Sequence, residues 1–291
     1  MKILITGASG FIGRNLYEYL SGRGYEVMAP GHRELDLLSE ESVREYLHAH
    51  KFNLVLHSAN INTSRNKTNG AYESLDGNIR MFLNLEKCAD LYDRMYYFGS
   101  GADYDRNHYI PYMKEEYFGE HVPTDHYGLS KYVMARMTDL HTNVYEFRLF
   151  GVYGLYEEWE RRFISNAICR SLLGMDITIE KHMLFDYLWM DDLNKIMEYL
   201  IENPPKERHY NICRGEHIDL YDLALMVQRL TGTSSEIKLG GEGWKTEYSG
   251  ENSKLLAEIG GFEFTPYETT VQVLIDYYKE HLGEIDPEKL V

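Results

Sequence analysis

Residues 1–13 read Met-Lys-Ile-Leu-Ile-Thr-Gly-Ala-Ser-Gly-Phe-Ile-Gly. Lys2–Ile5 is a short apolar β run, it ends in Thr6-Gly7, and a helical pattern begins at Ser9. Gly7, Gly10 and Gly13 therefore recur every third residue across a strand-to-helix junction. Glycine there lets the chain turn tightly, lets backbone N–H groups approach a pyrophosphate, and lets the helix pack closely on its strand. The anion then sits at the positive end of the helix. Placement after a strand and before a helix separates this motif from an ordinary glycine-rich turn.

Outward from that junction, strand and helix patterns alternate through the first half of the chain. Strands are predicted near 2–6, 25–29, 53–57, 94–99 and 143–148, and helices near 11–21, 40–49, 71–92 and 127–141. The helix over 71–92 rests on apolar positions Ile79, Phe82, Leu83, Leu85 and Cys88, whose spacing is helical rather than alternating. This order predicts an α/β fold, a Rossmann-type doubly wound parallel sheet with helices on both faces. After Arg148 the pattern loosens. A helix is expected over 159–174, a strand over 186–190 and a helix over 191–202, stopped by Asn203-Pro204-Pro205. A strand over 210–213 and helices over 219–231 and 267–282 follow, with 233–250 read as a loop holding one short strand. The expected division is a dinucleotide-binding domain over 1–150 with a returning segment near 183–215. A smaller mixed α/β substrate region would comprise 151–182 and 216–291.

With 291 residues the chain can bury a large core. No apolar run approaches the ~20 residues needed to cross a bilayer. The N-terminus is already a strand, so no cleaved signal peptide is expected. Cys88, Cys169 and Cys213 lie far apart in apolar surroundings and form neither a metal spacing nor a disulfide framework. A reducing cytoplasm fits these features. The net charge of −16 argues against nonspecific binding of nucleic acid or anionic membrane. No metal site is expected; His48 and His50, two apart on a helix, do not share a face.

Tyr127-Gly-Leu-Ser-Lys131 lies at the start of a predicted helix, so Tyr127 and Lys131 project from one face, one turn apart. A neighbouring ammonium favours the phenolate, which suits a tyrosine for general acid or base work on a carbonyl/alcohol pair. The predicted strand Met95–Gly99 runs into Ser100, 27 residues before Tyr127. Doubly wound sheets bind ligands at the carboxyl ends of their strands. Ser100 can therefore hydrogen-bond the same substrate oxygen that Tyr127 protonates.

These motifs together resemble the extended short-chain dehydrogenase/reductase family, and within it the nucleotide-sugar epimerases, dehydratases and reductases. The types in view are GDP-L-fucose synthase and dTDP-4-dehydrorhamnose reductase. The resemblance runs almost end to end. Thr6-Gly7-Ala-Ser9-Gly10-Phe11-Ile12-Gly13 looks like the family's cofactor loop. Asp36-Leu37-Leu38 is similar to the segment whose aspartate contacts adenine, and His57-Ser58-Ala59 to the strand-end signature beside the dinucleotide. Asn78 falls where the family keeps an asparagine that stabilises the active site. Ser100, Tyr127 and Lys131 match its catalytic triad. Arg148-Leu-Phe-Gly-Val-Tyr-Gly154 looks like its Arg-Pro-x-Asn-Val-Tyr-Gly stretch, and Phe185–Asp192 like its Arg-Asp-Phe-x-x-Val-Asp-Asp stretch.

Departures from the family pattern discriminate among its reactions. Dehydratases carry Thr-Asp-Glu just after the fourth strand, where this chain has Ser100, Gly101 and Ala102. Bifunctional fucose-type synthases place a cysteine two residues after the serine and a histidine in the substrate domain. Here Ala102 takes the cysteine position and no histidine lies between Phe150 and Lys181. Elimination and carbon epimerisation are thus disfavoured, whereas hydride transfer needs only Ser100, Tyr127, Lys131 and the nicotinamide. The second strand is followed by Pro30-Gly31-His32-Arg33; an arginine pairs with a 2′-phosphate, so NADP(H) is favoured, with Arg14 assisting. Glu34 keeps NAD(H) possible. On the substrate side Arg161, Arg162 and Arg214 are candidates for a diphosphate. Two departures bear on that end: Gly151 replaces the family's asparagine, and Phe185 the arginine often facing the phosphate. The expectation is an NADPH-dependent reductase of a 4-keto, 6-deoxy nucleotide sugar. The alternatives are an NAD-retaining nucleotide-sugar 4-epimerase and a non-catalytic cofactor-binding regulatory protein. The resemblance also implies a homodimer packed through the helices near 71–92 and 127–141.

Overall fold

The computed structural model describes residues 1–61 and 71–290. These form two compact units. The first comprises Met1–His108, Lys114–Leu149 and Glu198–Ile212; the second, Tyr109–Met113, Phe150–Met197 and Cys213–Val291.

In the first unit β1 (Lys2–Thr6), β2 (Glu26–Met28), β3 (Phe52–His57), β4 (Tyr92–Ser100) and β5 (Val144–Leu149) alternate with α1 (Phe11–Gly22), α2 (Glu40–His50), α3 (Ala71–Glu86) and α4 (His126–Thr138). The second unit contributes β6 (Gly151–Tyr153), α5 (Phe163–Leu172), β7 (Ile177–Ile179), β8 (Leu184–Phe185) and β9 (Tyr187–Trp189). Helix α6 (Met190–Glu202) then leads back to the first unit and β10 (His209–Ile212). The second unit resumes with β11 (Ile218–Asp219), α7 (Leu220–Thr231), β12 (Ile237–Leu239), α8 (Ser253–Ile259) and α9 (Tyr267–Glu280).

The central sheet is six-stranded and parallel throughout, in the order β2-β1-β3-β4-β5-β10. This is the doubly wound, Rossmann-type arrangement. The apolar runs form strands because helices cover both faces of a parallel sheet, leaving most residues of β1, β3, β4, β5 and β10 buried, while the edge strand β2 is not. Leu4, Val55, Tyr97 and Val144 pack with Val43 and Leu47 of α2, Phe82 of α3 and Met134 of α4 in one core. The direction in which successive strands are added reverses at β1: β2 lies on one side and β3 on the other. Ligands bind at such a switch point, beyond the carboxyl ends of the strands.

Helix α3 stops at Glu86, short of the predicted 92. A 3₁₀ turn (Ala89–Leu91) intervenes and β4 already starts at Tyr92. The buried Tyr92 hydroxyl donates to the Leu85 carbonyl at 3.0 Å, closing the helix end. The segment returning to the first unit is Glu198–Ile212, narrower than 183–215. Tyr187 and Trp189 of β9 are instead buried in the second unit's core, with Tyr153, Ile168, Val227 and Leu274. Two- and three-residue strands pair within that unit: β6 with β9, β8 with β11, β7 with β12. Cys88, Cys169 and Cys213 are buried and none is in a disulfide. No described helix is long and apolar enough to cross a membrane.

Candidate active site

The β1–α1 turn and the end of β3 meet at the switch point. Gly7 has φ +74°, and a Cβ there would lie 2.6 Å from both N and Cα of Ala59. A Cβ at Gly13 would lie 2.4 Å from the Gly7 carbonyl oxygen and 2.6 Å from Ser58 Oγ. Glycine is thus required for α1 to start against the turn, as the spacing implied. Gly10 is the N-cap of α1 and supplies no side-chain cap. The first-turn N–H groups, which a helix cannot satisfy itself, are left to an outside acceptor. This bare cradle fits the pyrophosphate of a dinucleotide.

Side chains around the cradle hold its two halves together. Ser58 Oγ donates to the Thr6 carbonyl at 2.6 Å, and Ala59 N–H to Thr6 Oγ1 at 3.3 Å. Thr6 Oγ1 also meets His57 Nδ1 at 2.8 Å. Burial, reinforced by the Lys131 charge, drives the His57 pKa down to about 3, so its ring is neutral. Asn78 is buried; its Oδ1 accepts Ile61 N–H at 2.7 Å, and its Nδ2 donates to the Ile61 carbonyl at 3.2 Å and Ser74 Oγ at 3.3 Å. Both ends of this amide are engaged by neighbours, which makes Asn78 a positioning residue for the chain leaving β3.

The other predicted cofactor residues spread along the first unit. Phe11 and Ile12 are half-buried at the start of α1 and Ser9 is exposed. Arg14 Nε donates to Glu18 Oε1 at 3.0 Å on the exposed flank of α1. His32 and Arg33 are exposed in the turn after β2. Asp36 is exposed and its carboxylate accepts Leu38 N–H at 3.0 Å. Leu37 points into the core and its carbonyl accepts Asn84 Nδ2 at 2.9 Å.

Ser100, Tyr127 and Lys131 are brought together in the same unit. Ser100 ends β4 and caps the following 3₁₀ turn (Gly101–Asp103), its Oγ accepting Ala102 N–H at 3.1 Å. With that lone pair engaged, the hydroxyl proton is directed to another acceptor. Helix α4 is capped by Asp125, whose carboxylate accepts Gly128 N–H at 2.9 Å. It packs directly on the 3₁₀ turn: a Cβ at Gly128 would lie 2.7 Å from the Ala102 carbonyl oxygen. That contact sets half-buried Tyr127 beside the end of β4. The buried Lys131 ammonium donates to the Phe98 carbonyl at 2.9 Å and lies 5.9 Å from the Tyr127 ring centroid. Thr6 and Gly128 stand inside the quoted motifs, but sequence reasoning gave neither a role of its own; their places beside Gly7 and Tyr127 were the available signal.

The arginines expected to hold a diphosphate belong to the second unit. Arg161 and Arg162 are exposed just before α5, with Arg162 as its N-cap. Arg214 is tied within its own unit. Nη1 donates to the Thr265 carbonyl at 2.8 Å, Nε to Glu216 Oε2 at 3.1 Å, and the guanidinium stacks 4.5 Å from the Tyr267 ring centroid. The two departures Gly151 and Phe185 prove to be one feature. A Cβ at 151 would lie 2.4 Å from Phe185 Cε1 and 2.4 Å from the Asp186 carbonyl oxygen. Phe185 stacks on Tyr187 at 4.4 Å and lies 4.9 Å from Tyr248. Asp186 is buried, accepting Arg214 N–H at 2.9 Å and Gly215 N–H at 2.8 Å, and burial pushes its carboxyl up to about 7. Among the described residues, no cluster of three or more His, Cys, Asp or Glu is placed to hold a metal ion.

Residues 3–213 match the NAD dependent epimerase/dehydratase family. The chain belongs to that family. It is accordingly an NAD(P)-dependent enzyme of oxidoreductase chemistry. Among curated proteins it is 24% identical over 254 residues to GDP-L-colitose synthase of Yersinia pseudotuberculosis, covering 80% of this chain and 82% of the relative. Among solved structures it resembles a GDP-mannoheptose C4 reductase of Campylobacter jejuni with NADP bound. The TM-score is 0.82 at 22% identity, over 96% of this chain and 98% of the other. A UDP-glucose 4-epimerase of Thermotoga maritima with UDP-glucose matches with TM-score 0.82 at 19% identity, over 97% and 100%. At such identities the structural likeness shows the shared fold. Family membership itself carries the nicotinamide cofactor.

Proposed function

We propose that this protein is an NADPH-dependent reductase of a 4-keto, 6-deoxy nucleotide sugar. The observation that carries this reading is the composition of the end of β4. Ser100 ends β4, and the turn after it packs on α4, which carries Tyr127 and Lys131, while Gly101 and Ala102 supply no acid or nucleophile. The next acid, Asp103, is fully buried. This set can orient a carbonyl and protonate it, but has no second group for elimination. When bound, the nicotinamide supplies the hydride. Ser100 holds the keto oxygen through its hydroxyl, and Tyr127 delivers the proton that makes it an alcohol. Lys131, anchored on the Phe98 carbonyl, stabilises the tyrosine's negative charge after transfer. The similarity to a GDP-L-colitose synthase and to a GDP-mannoheptose C4 reductase supports this choice.

The test is loss of NADPH absorbance with a panel of GDP-, dTDP- and UDP-linked 4-keto-6-deoxy sugars. Turnover with at least one is expected, and Tyr127→Phe should lower kcat by about 10²–10⁴-fold. A wild-type protein that binds NADPH but reduces none of the panel would sink the reading. Protein purified with bound NAD, interconverting nucleotide sugars without net change in cofactor, would establish the 4-epimerase instead.

Cofactor choice is assigned to Arg33, exposed in the turn after β2 and free to meet a 2′-phosphate. A charge-assisted hydrogen bond is worth about 1.5–3 kcal/mol. Arg33→Ala should therefore raise KM for NADPH by about 10- to 100-fold and leave KM for NADH nearly unchanged. Equal effects on both cofactors would remove Arg33 from this role.

A further inference from the structure

Three neighbouring strands place an unusual set of side chains on the α4 side of the sheet. In the strand register Tyr97, Glu146 and His209 are level, and in the next row Gly99, Arg148 and Asn211. Asp103 reaches the same spot from the turn that follows Ser100. Asp103, Glu146 and Arg148 are each at most 1% exposed. Arg148 Nη2 meets Glu146 Oε2 at 2.8 Å, and its Nε lies 3.4 Å from Asp103 Oδ2. One guanidinium thus faces two carboxyl groups. Both oxygens of Asp103 and Oε1 of Glu146 lack a hydrogen-bond partner among the described residues. They converge over the bare Cα of Gly99, where a Cβ would lie 2.5 Å from Glu146 Oε1 and 2.9 Å from Asp103 Oδ2.

Two ionised carboxylates are acceptors only and cannot satisfy one another, whereas one proton between them makes a hydrogen bond. It also brings the Asp103–Glu146–Arg148 cluster itself to zero net charge, one carboxylate against one guanidinium. We propose that Asp103 and Glu146 share a single proton, making Asp103 a positioning residue for the strand end that carries Ser100. Gly99, beneath the pair, lies between Ser100 and Phe98, whose carbonyl holds Lys131. A second negative charge at this point would press on the backbone that aligns both.

The proton resides mainly on Asp103. Burial and then the charge of Glu146 push Asp103 well above the ordinary range, while Arg148 holds Glu146 below it against the effect of burial. The charged and titratable groups facing the pair are Tyr97 on β4, Arg148 on β5, His209 on β10, Lys131 on α4 and Tyr104 after the turn; Tyr127 in turn faces Tyr97, and Glu115 faces Tyr104. His209 gives the pair an outlet. Its Nδ1 meets Glu146 Oε2 at 2.8 Å and its Nε2 meets Asp139 Oδ1 at 2.8 Å, where Asp139 is 44% exposed.

The position of the proton is independent of the proposed reaction; its bearing on Ser100 rests on that reading. Infrared difference spectra at neutral pH, comparing the wild type with Asp103→Asn and Glu146→Gln, test the sharing directly. A protonated-carboxyl carbonyl band is expected in the wild type and lost in both variants. Other protonated acids cancel in the difference. No change in either variant, or loss in Asp103→Asn alone, would overturn the proposal. Thermal unfolding gives a second readout. The folded wild type holds a proton that the unfolded chain releases once pH exceeds the ordinary aspartate value. Its stability is therefore lost as pH rises towards the raised folded pKa. Asp103→Asn keeps a donor to Glu146 and lacks this loss, so its midpoint relative to wild type should climb from pH 5 to pH 9. A constant difference across that range overturns the proposal as well, and neither measurement needs a substrate.

Discussion

His57 shows what one buried side chain does to the pH dependence of the whole. Its ring is confined at the end of β3 against Thr6, and burial drives its pKa to about 3 from an ordinary 6.5. The unfolded chain takes up a proton below pH 6.5 that the folded chain refuses until pH 3. Stability from this group is therefore complete above pH 6.5 and lost as pH falls through that window. Between pH 7 and pH 5 the loss amounts to about 2 kcal/mol. His57→Gln should flatten this acid limb, so that its stability relative to wild type improves by about that amount at pH 5, measured by urea unfolding. Parallel curves for the two proteins would show that the histidine is not held neutral. Its chemical setting was partly legible in sequence, because His57-Ser58-Ala59 stands at a strand end. Ser100, Tyr127 and Lys131 were legible for a similar reason: a helix spacing and a strand end are local patterns. The cluster of Asp103, Glu146 and Arg148 was not, since its members meet only through the pairing of β4 with β5. Its one local trace is Glu146 and Arg148 at alternate positions of an otherwise apolar strand, which places both on one buried face.

Elements of the first unit were readable because buried parallel strands are continuous apolar runs and their helices carry a full amphipathic period. The second unit was read less well, and length is the reason. Strands β8 and β11 have two residues each, and β6, β7 and β9 three, too few to show any period. Their pairing is set by side chains from elsewhere. Strand β6 lies beside β9 with Gly151 level with Tyr187, and the ring of Phe185 and the Asp186 carbonyl fill the place of a side chain at 151. Restoring the family's asparagine with Gly151→Asn would force that ring and the strand apart. Overpacking of this kind costs about 1–3 kcal/mol. The variant should unfold at lower urea than wild type by a corresponding amount when followed by tryptophan fluorescence. An unchanged midpoint would mean that β6 and β9 are not the close pair described.

At the scale of the molecule, the two units have separate cores and separate reporters. One core joins α2, α3 and α4 to the parallel sheet; the other joins α5, α7 and α9. Trp159, Trp189 and Trp244 all belong to the second unit, so tryptophan fluorescence follows that unit, while far-ultraviolet circular dichroism follows both. The proposed dinucleotide cradle, Gly7 to Gly13 with Ser58, Ala59 and Lys131, lies wholly in the first. A ligand that binds only the folded state at about 100 times its Kd adds about 2.7 kcal/mol to the stability of whatever unfolds with its site. Saturating NADP⁺ should therefore raise the midpoint seen by circular dichroism more than the midpoint seen by fluorescence. The gap between the two should close again when Gly13→Val fills the cradle. Equal shifts at both probes would show that the units unfold as one cooperative body. No shift at either would remove NADP⁺ from the cradle and with it the proposed reductase.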